Sequence, residues 1–418
     1  MKKSLIFAAV AAVVLSACAK VDNYKVSTPE AVSFGVYAGN ATNTKAVSGT
    51  DYSTVTTTVL ENSTHGFGVF GYYTDAENYT AGGFKANFMY NQQVTYSGSA
   101  WTYSPVKYWP NEHGASAVST DTDKLTFLAY APFVENLQID TDNGVSIKDN
   151  QATAAAATEG ITAMTANNVA ADATLTFVVP ASTAEQIDLL YGALAATYTD
   201  LEGNTIGTVG NPLENLTKQE TDGKINILFK HSLAKIAINI KDVVDAAEPT
   251  TSVTPASDGT KVVVESLTLK GTIGTTGDLN LYSAAWSNIT TASTFAVSPL
   301  PAEIYAATPT TYPDINGVVE TGLDNTIDLM VIPATGAEIS GVDITYYICT
   351  QDSQLDGGVS IVKNVISKDL GTPVSIAMGK QYGLNVLLGL TSVTLNASVE
   401  PWDTTPGTTN IDLPKNVD

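Results

Sequence analysis

Arginine is missing altogether: all 20 basic residues of this 418-residue chain are lysines, set against 42 acidic ones. With a formal charge of −22 and lysines scattered singly among carboxylates, a polyanion-binding face is excluded, so no nucleic acid is expected as a partner. Cysteine is reduced to Cys18 and Cys349. Once Cys18 is claimed by processing, Cys349 stands alone and an internal disulfide framework is ruled out. In the alternating run Thr-Tyr-Tyr-Ile-Cys349 that cysteine reads as a small buried hydrophobe. Histidine is scarce as well. His65, His113 and His231 lie far apart and none adjoins a nucleophile motif, which leaves few general bases or metal ligands.

Other signatures fail in the same way. There is no GxxxxGK[ST] loop and no GxGxxG between a strand and a helix, so nucleotide binding has no mark. Asp140-Thr-Asp-Asn-Gly144 opens like a calcium loop, yet its twelfth position falls at Gln151, where a bidentate carboxylate is required. A solvated acidic turn is the better reading. No two carboxylates stand out as a glycosidase pair. The expectation is therefore a chain that is not an enzyme and holds no metal or cofactor.

The first residues carry a pattern. Lys2 and Lys3 precede an apolar run, Leu5–Val14, too short to span a bilayer, and Leu15-Ser16-Ala17-Cys18 follows as a lipobox. Residues 1–18 read as a lipoprotein signal peptide, with Cys18 as the acylated (palmitate-bearing) anchor. No later window offers about 20 uninterrupted apolar residues. The expected product is an exported protein on a lipid tether at the outer membrane.

Elsewhere the chain is rich in threonine, valine and tyrosine, with short alternating runs between Gly, Asn, Asp and Pro clusters. Strands are expected at Ala31–Ala38, Leu125–Tyr130, Ile225–Lys230, Ala234–Ile240, Lys261–Leu269, Thr326–Ile332, Val342–Cys349, Tyr382–Leu390 and Val393–Val399. In the first, Val32, Phe34 and Val36 share a face; near the end, Leu384, Val386, Leu388 and Leu390 share one, as do Val393, Leu395, Ala397 and Val399. Ala184–Leu194 is read as a short helical turn, and Ala152–Asn168 as a helix or surface loop. Asp242–Thr260, with Pro249, Pro255 and an Asp-Gly pair, has linker composition. It divides the mature chain near Val244. The fold class is all-β, two β-sandwich domains in tandem with few short helices, covering 46–244 and 245–418. The aromatic segment Trp101…Tyr103…Tyr108-Trp109-Pro110 admits two readings, a sandwich core filler or a sugar-stacking platform; the second would make the chain a carbohydrate-binding surface lipoprotein.

Several pieces taken in order resemble the fimbrillin-like pilin family. They are the lipobox at Cys18, the strand Ala31–Ala38 leading to Asn40-Ala-Thr-Asn-Thr-Lys45-Ala46, Phe67-Gly-Val-Phe70-Gly-Tyr72, Trp101…Tyr108-Trp109-Pro110 and Leu125-Thr-Phe127-Leu-Ala-Tyr130-Ala-Pro132. Asp188-Leu-Leu-Tyr191, Phe229-Lys-His231-Ser-Leu-Ala-Lys235-Ile and Gly379-Lys-Gln-Tyr382…Val399-Glu-Pro-Trp402 complete the set. The resemblance implies Greek-key, transthyretin-like sandwiches and a structural subunit of a cell-surface fimbrium that supports adhesion. It further implies that residues 19–45 form a propeptide holding a removable first strand, cut by a trypsin-like protease between Lys45 and Ala46. A neighbouring copy or related pilin would then insert its C-terminal strand, drawn from Leu384–Leu390 or Val393–Val399, into the vacated groove. Members often carry arginine at the cut; lysine stands there in this chain, which has no arginine, so a protease specific for arginine could not mature it. The strongly alternating end points to a stalk rather than a tip subunit. Which host glycan or protein such a filament grips is not written in these motifs.

Overall fold

The computed structural model describes residues 30–38, 57–110, 123–134, 138–139, 159–165, 170–199, 205–221, 223–242, 259–315, 326–390, 392–402 and 411–412. In chain order the strands are β1 Ser33–Ala38, β2 Phe67–Asp75, β3 Met89–Tyr96, β4 Trp101–Thr102, β5 Lys124–Ala131, β6 Gln138–Ile139, β7 Gly160–Thr165 and β8 Thr174–Val178. They continue with β9 Leu190–Leu194, β10 Tyr198–Thr199, β11 Thr205–Gly207, β12 Leu213–Leu216, β13 Lys224–His231, β14 Ala234–Asp242 and β15 Thr260–Asn280. The last are β16 Ala285–Ala296, β17 Thr326–Val331, β18 Glu338–Gln351, β19 Val359–Ser375, β20 Lys380–Leu388, β21 Val393–Pro401 and β22 Ile411–Asp412. Short helices stand at Thr57–Asn62 and Lys218–Thr221. The all-β expectation holds.

An eight-stranded sheet runs β1-β13-β9-β5-β2-β3-β4, with β12 against β5. Its two ends meet, since the Tyr103 hydroxyl just past β4 donates to the Val32 carbonyl at 2.7 Å just before β1. The sheet thus rolls around a core that includes Phe34, Phe67, Phe127, Ile227 and Phe229. Its outer face sends Phe70, Tyr72, Leu128 and Tyr130 into a second, larger core. That core lies between the β17-β14-β20-β21-β22 sheet and the β19-β18-β15-β8-β7-β6 sheet, which β16 extends along β15. The two sheets are tied where the Tyr346 hydroxyl donates to the Gly389 carbonyl at 2.7 Å.

Every strand expected from alternation is present, because one buried face forces a period of two on the sequence. In β20, Tyr382, Leu384, Val386 and Leu388 are buried while the residues between them are half exposed. Two expectations change. Leu190–Leu194, read as part of a helical turn, is strand β9, paired with β5 and β13 and with Leu190, Ala193 and Leu194 buried. A strand covered on both faces loses its alternation and cannot be told from an apolar helix by period. Gly160–Thr165, inside the segment read as helix or loop, is β7. Sheet membership changes between His231, the end of β13, and Ala234, the start of β14, ahead of Val244. The linker-like stretch after Asp242 connects β14 and β15, which face each other in the same sandwich, while β6–β8 join the later strands.

Candidate functional site

β1 occupies a seat with two walls. On one side it runs parallel to β13, Ser33 opposite Lys224 through Ala38 opposite Phe229. On the other, the Val32 amide donates to the Lys107 carbonyl at 2.9 Å and the Trp109 amide donates to the Glu30 carbonyl at 3.0 Å. Ala31 and Tyr108 form an antiparallel bridge there. Beneath lies the rolled core. Val32, Phe34 and Val36 are 1%, 4% and 7% exposed, and Phe34 meets Phe67, Tyr103 and Phe127 edge-on with ring centroids 5.9, 5.6 and 5.9 Å apart. The three residues expected to share a face do share it, and that face fills an apolar trough.

Fasteners hold both ends of the strand. Tyr103 reaches the Val32 and Lys107 carbonyls, at 2.7 and 3.2 Å, and burial pushes its phenol up to about 12. The Ser33 amide and hydroxyl and the Trp109 indole Nε1 all donate to the Gly223 carbonyl, at 3.3, 3.1 and 3.3 Å. Gly223 itself sits at φ 72°, a left-handed turn that glycine takes without cost just before β13. At the same end Lys218 pairs with Glu30 at 3.0 Å, and at the far end the Ala38 amide donates to Thr57 Oγ1 at 2.8 Å. Sequence pattern missed these roles for Tyr103, Trp109 and Thr57, because each acts on a main-chain group that leaves no side-chain periodicity. The one available signal was the cluster of rings itself. Trp101 packs on Phe67 at 5.2 Å and Trp109 is buried, so these rings serve the core, and Tyr108 alone of the four is exposed, at 49%.

The two C-terminal runs sit differently. β20 is an inner strand, parallel to β14 and antiparallel to β21, with Leu384, Val386 and Leu388 fully buried. Leu390 departs from the expected face. The ladder ends at Leu388, Gly389 donates to the Ser392 carbonyl across the turn, and Leu390 is left 48% exposed. β21 pairs along its length with β20 and on its other side with β22 at Ser398 and Val399. Its Val393 is buried, while Leu395, Ala397 and Val399 are half buried against the larger core.

Cys18, Lys45 and Ala46 lie outside the described residues, as do His113 and the acidic turn at Asp140–Gly144. Cys349 is buried and free, and burial pushes its thiol up. Among the described residues no three His, Cys, Asp or Glu side chains group as metal ligands.

A crystal structure of a fimbrial protein from Bacteroides vulgatus superimposes with a TM-score of 0.60 at 19% identity, over 89% of this chain and 99% of that one, a likeness of fold. The fimbrium subunit Fim1C of Phocaeicola vulgatus is 27% identical over 192 residues, 45% of this chain and 39% of that relative, so the aligned part spans well under half of the relative's length. A family model described as fimbrillin-like matches residues 44–402. With that match running from beside Lys45 to Trp402, on a β-fold shared with a fimbrial protein, the chain belongs to the fimbrillin-like family.

Proposed function

We propose that this chain is a fimbrial subunit exported as a lipoprotein through Cys18, cut between Lys45 and Ala46, and polymerised when the C-terminal strand of another copy enters the seat of β1. The observation that carries this reading is the two-walled apolar trough filled by Val32, Phe34 and Val36. Burial of three large side chains is worth about 5–9 kcal/mol. Fixing the backbone from Val32 to Ala38 costs about 7–14 kcal/mol, and each ladder bond returns roughly 0.5–1.5 kcal/mol. The seated strand is thus left with a modest net gain, of which the burial of Phe34 is a large part. It stays seated while the chain is continuous and is readily given up once a cut lets it diffuse away. What remains is a row of unpaired main-chain groups over exposed apolar side chains, a template for strand addition.

Of the two late runs, β21 suits the donor role better. Extracting β20 would break two ladders and empty the larger core, whereas β21 leaves half-buried side chains and one long ladder. Its Val393, Leu395, Ala397 and Val399 offer the alternating face the trough requires. A contact in which one copy's tail fills another copy's groove is heterologous, so it propagates as a filament. Maturation falls to a trypsin-like protease that accepts lysine.

The test is Lys45→Ala in the full chain, followed by extraction of surface protein and measurement of its N-terminal mass. The variant is expected to remain a lipid-bearing precursor with no high-mass polymer. Normal polymer from that variant would falsify the cleavage step.

A further inference from the structure

Three segments far apart in sequence converge beside the crossing between sheets. His231 closes β13, Asp188 precedes β9, and Trp402 follows β21. Asp188 is fully buried and His231 is 4% exposed, with Nδ1 at 2.8 and 2.9 Å from the two carboxylate oxygens. The Asp188 carboxyl thus grips the imidazole through both of its oxygens. The Trp402 indole lies flat on the imidazole, ring centroids 4.0 Å apart and planes 1° from parallel. The Trp402 amide donates to the Gly379 carbonyl, and the Gly379 amide donates to the Leu233 carbonyl, both at 3.0 Å, so the backbone at the end of β21 is hooked to the same crossing.

We propose that Trp402 is a latch: its stack on His231 holds the end of β21 onto the rolled sheet, and β21 leaves only after this ring lifts and opens the Asp188–His231 pair to water. Elsewhere β21 is held by its ladder to β20 on one side, but on the other it meets only the two-residue β22, and past Val393 its inward side chains are half buried. The stack is the point where the late strand meets a rigid polar group of the earlier sheet, because the carboxylate fixes the imidazole plane. The same strand, β13, carries the β1 ladder up to Phe229 and the latch at His231. One strand therefore meets both β1 and the residue that follows β21. The biological weight of this latch rests on β21 being the donor; the latch itself does not.

Hydrogen exchange of the unpolymerised full-length chain tests it, comparing β21 with the central strand β18. An aromatic stack contributes enough for about three- to tenfold faster exchange of the β21 amides in Trp402→Ala, with β18 unchanged. Trp402→Leu, which keeps apolar bulk without a ring, and Trp402→Phe, which keeps a ring, form the second pair in case the alanine variant does not fold. Leucine is expected to speed β21 exchange and phenylalanine to stay within about twofold of the parent. Unchanged β21 exchange, equal rates for Leu and Phe, or equal acceleration of β18 and β21 would overturn the latch. Because exchange is read before assembly, its failure leaves strand donation standing, and a failure to polymerise leaves the latch standing.

Discussion

Phe34 touches three rings beneath a strand whose neighbouring Tyr37 is 53% exposed. In the uncut chain Phe34→Ala is expected to cost about 3–5 kcal/mol by urea denaturation, from lost transfer energy plus the cavity left behind. Tyr37→Ala should stay within about 0.5 kcal/mol, as exposed substitutions do. Equal losses at the two positions would mean that β1 is not seated face down. Tyr103 adds a pH dependence. Its folded pKa of about 12 lies above the value near 10 of an unfolded chain, so above pH 10 the folded state binds more protons. The contribution is complete below about pH 10 and is lost as pH rises from 10 to 12. Urea midpoints taken across that window should fall more steeply for the parent than for Tyr103→Phe. The alternating faces of Val32, Phe34 and Val36 were legible in the sequence. The hydroxyl that clamps them was not, since its partner is a main-chain carbonyl 71 positions away.

At the scale of elements, β20 and β21 have nearly the same pattern and different fates. Both alternate, but β20 lies between β14 and β21 with long ladders on both sides, whereas β21 has a long ladder only to β20 and meets the short β22 on its other side. Deleting the chain from Val393 onward is expected to leave a folded subunit that takes up a donor strand yet cannot extend a polymer, scored by mixing it with intact subunits and measuring filament length. Truncated chains that polymerise on their own would reassign the donor. Position in a sheet also explains which elements were readable. Half-buried strands such as β14 and β21 show a period of two, because one face meets the core. The buried β9 shows none, and β19 is largely exposed on both faces. Strand partners stayed hidden for a further reason: β1 pairs with β13 about 190 residues away, and pairing at that separation depends on how the whole sheet rolls.

At the scale of the molecule, the rolled sheet needs a strand in the seat of β1, and β1 and Trp402 both meet β13. A chain beginning at Ala46 therefore lacks its own plug. It is expected to associate, by light scattering, where a chain of residues 19–418 stays monomeric, and a peptide of residues 30–38 added in excess should suppress that association. A stable monomer from the shorter chain would remove the reason for strand uptake. By itself the sequence determined the all-β class, the apolar faces of the first and last strands, the lipobox pattern and the absence of nucleotide, metal-loop and disulfide signatures, because these follow from residue type and local period. Tertiary structure alone decided that β1 lies between β13 and the 107–109 segment, that β6–β8 join the later sheet, and that Asp188, His231 and Trp402 meet. Those are long-range pairings made through main-chain groups and ring faces, and neither composition nor local periodicity encodes which distant partner such a group will find.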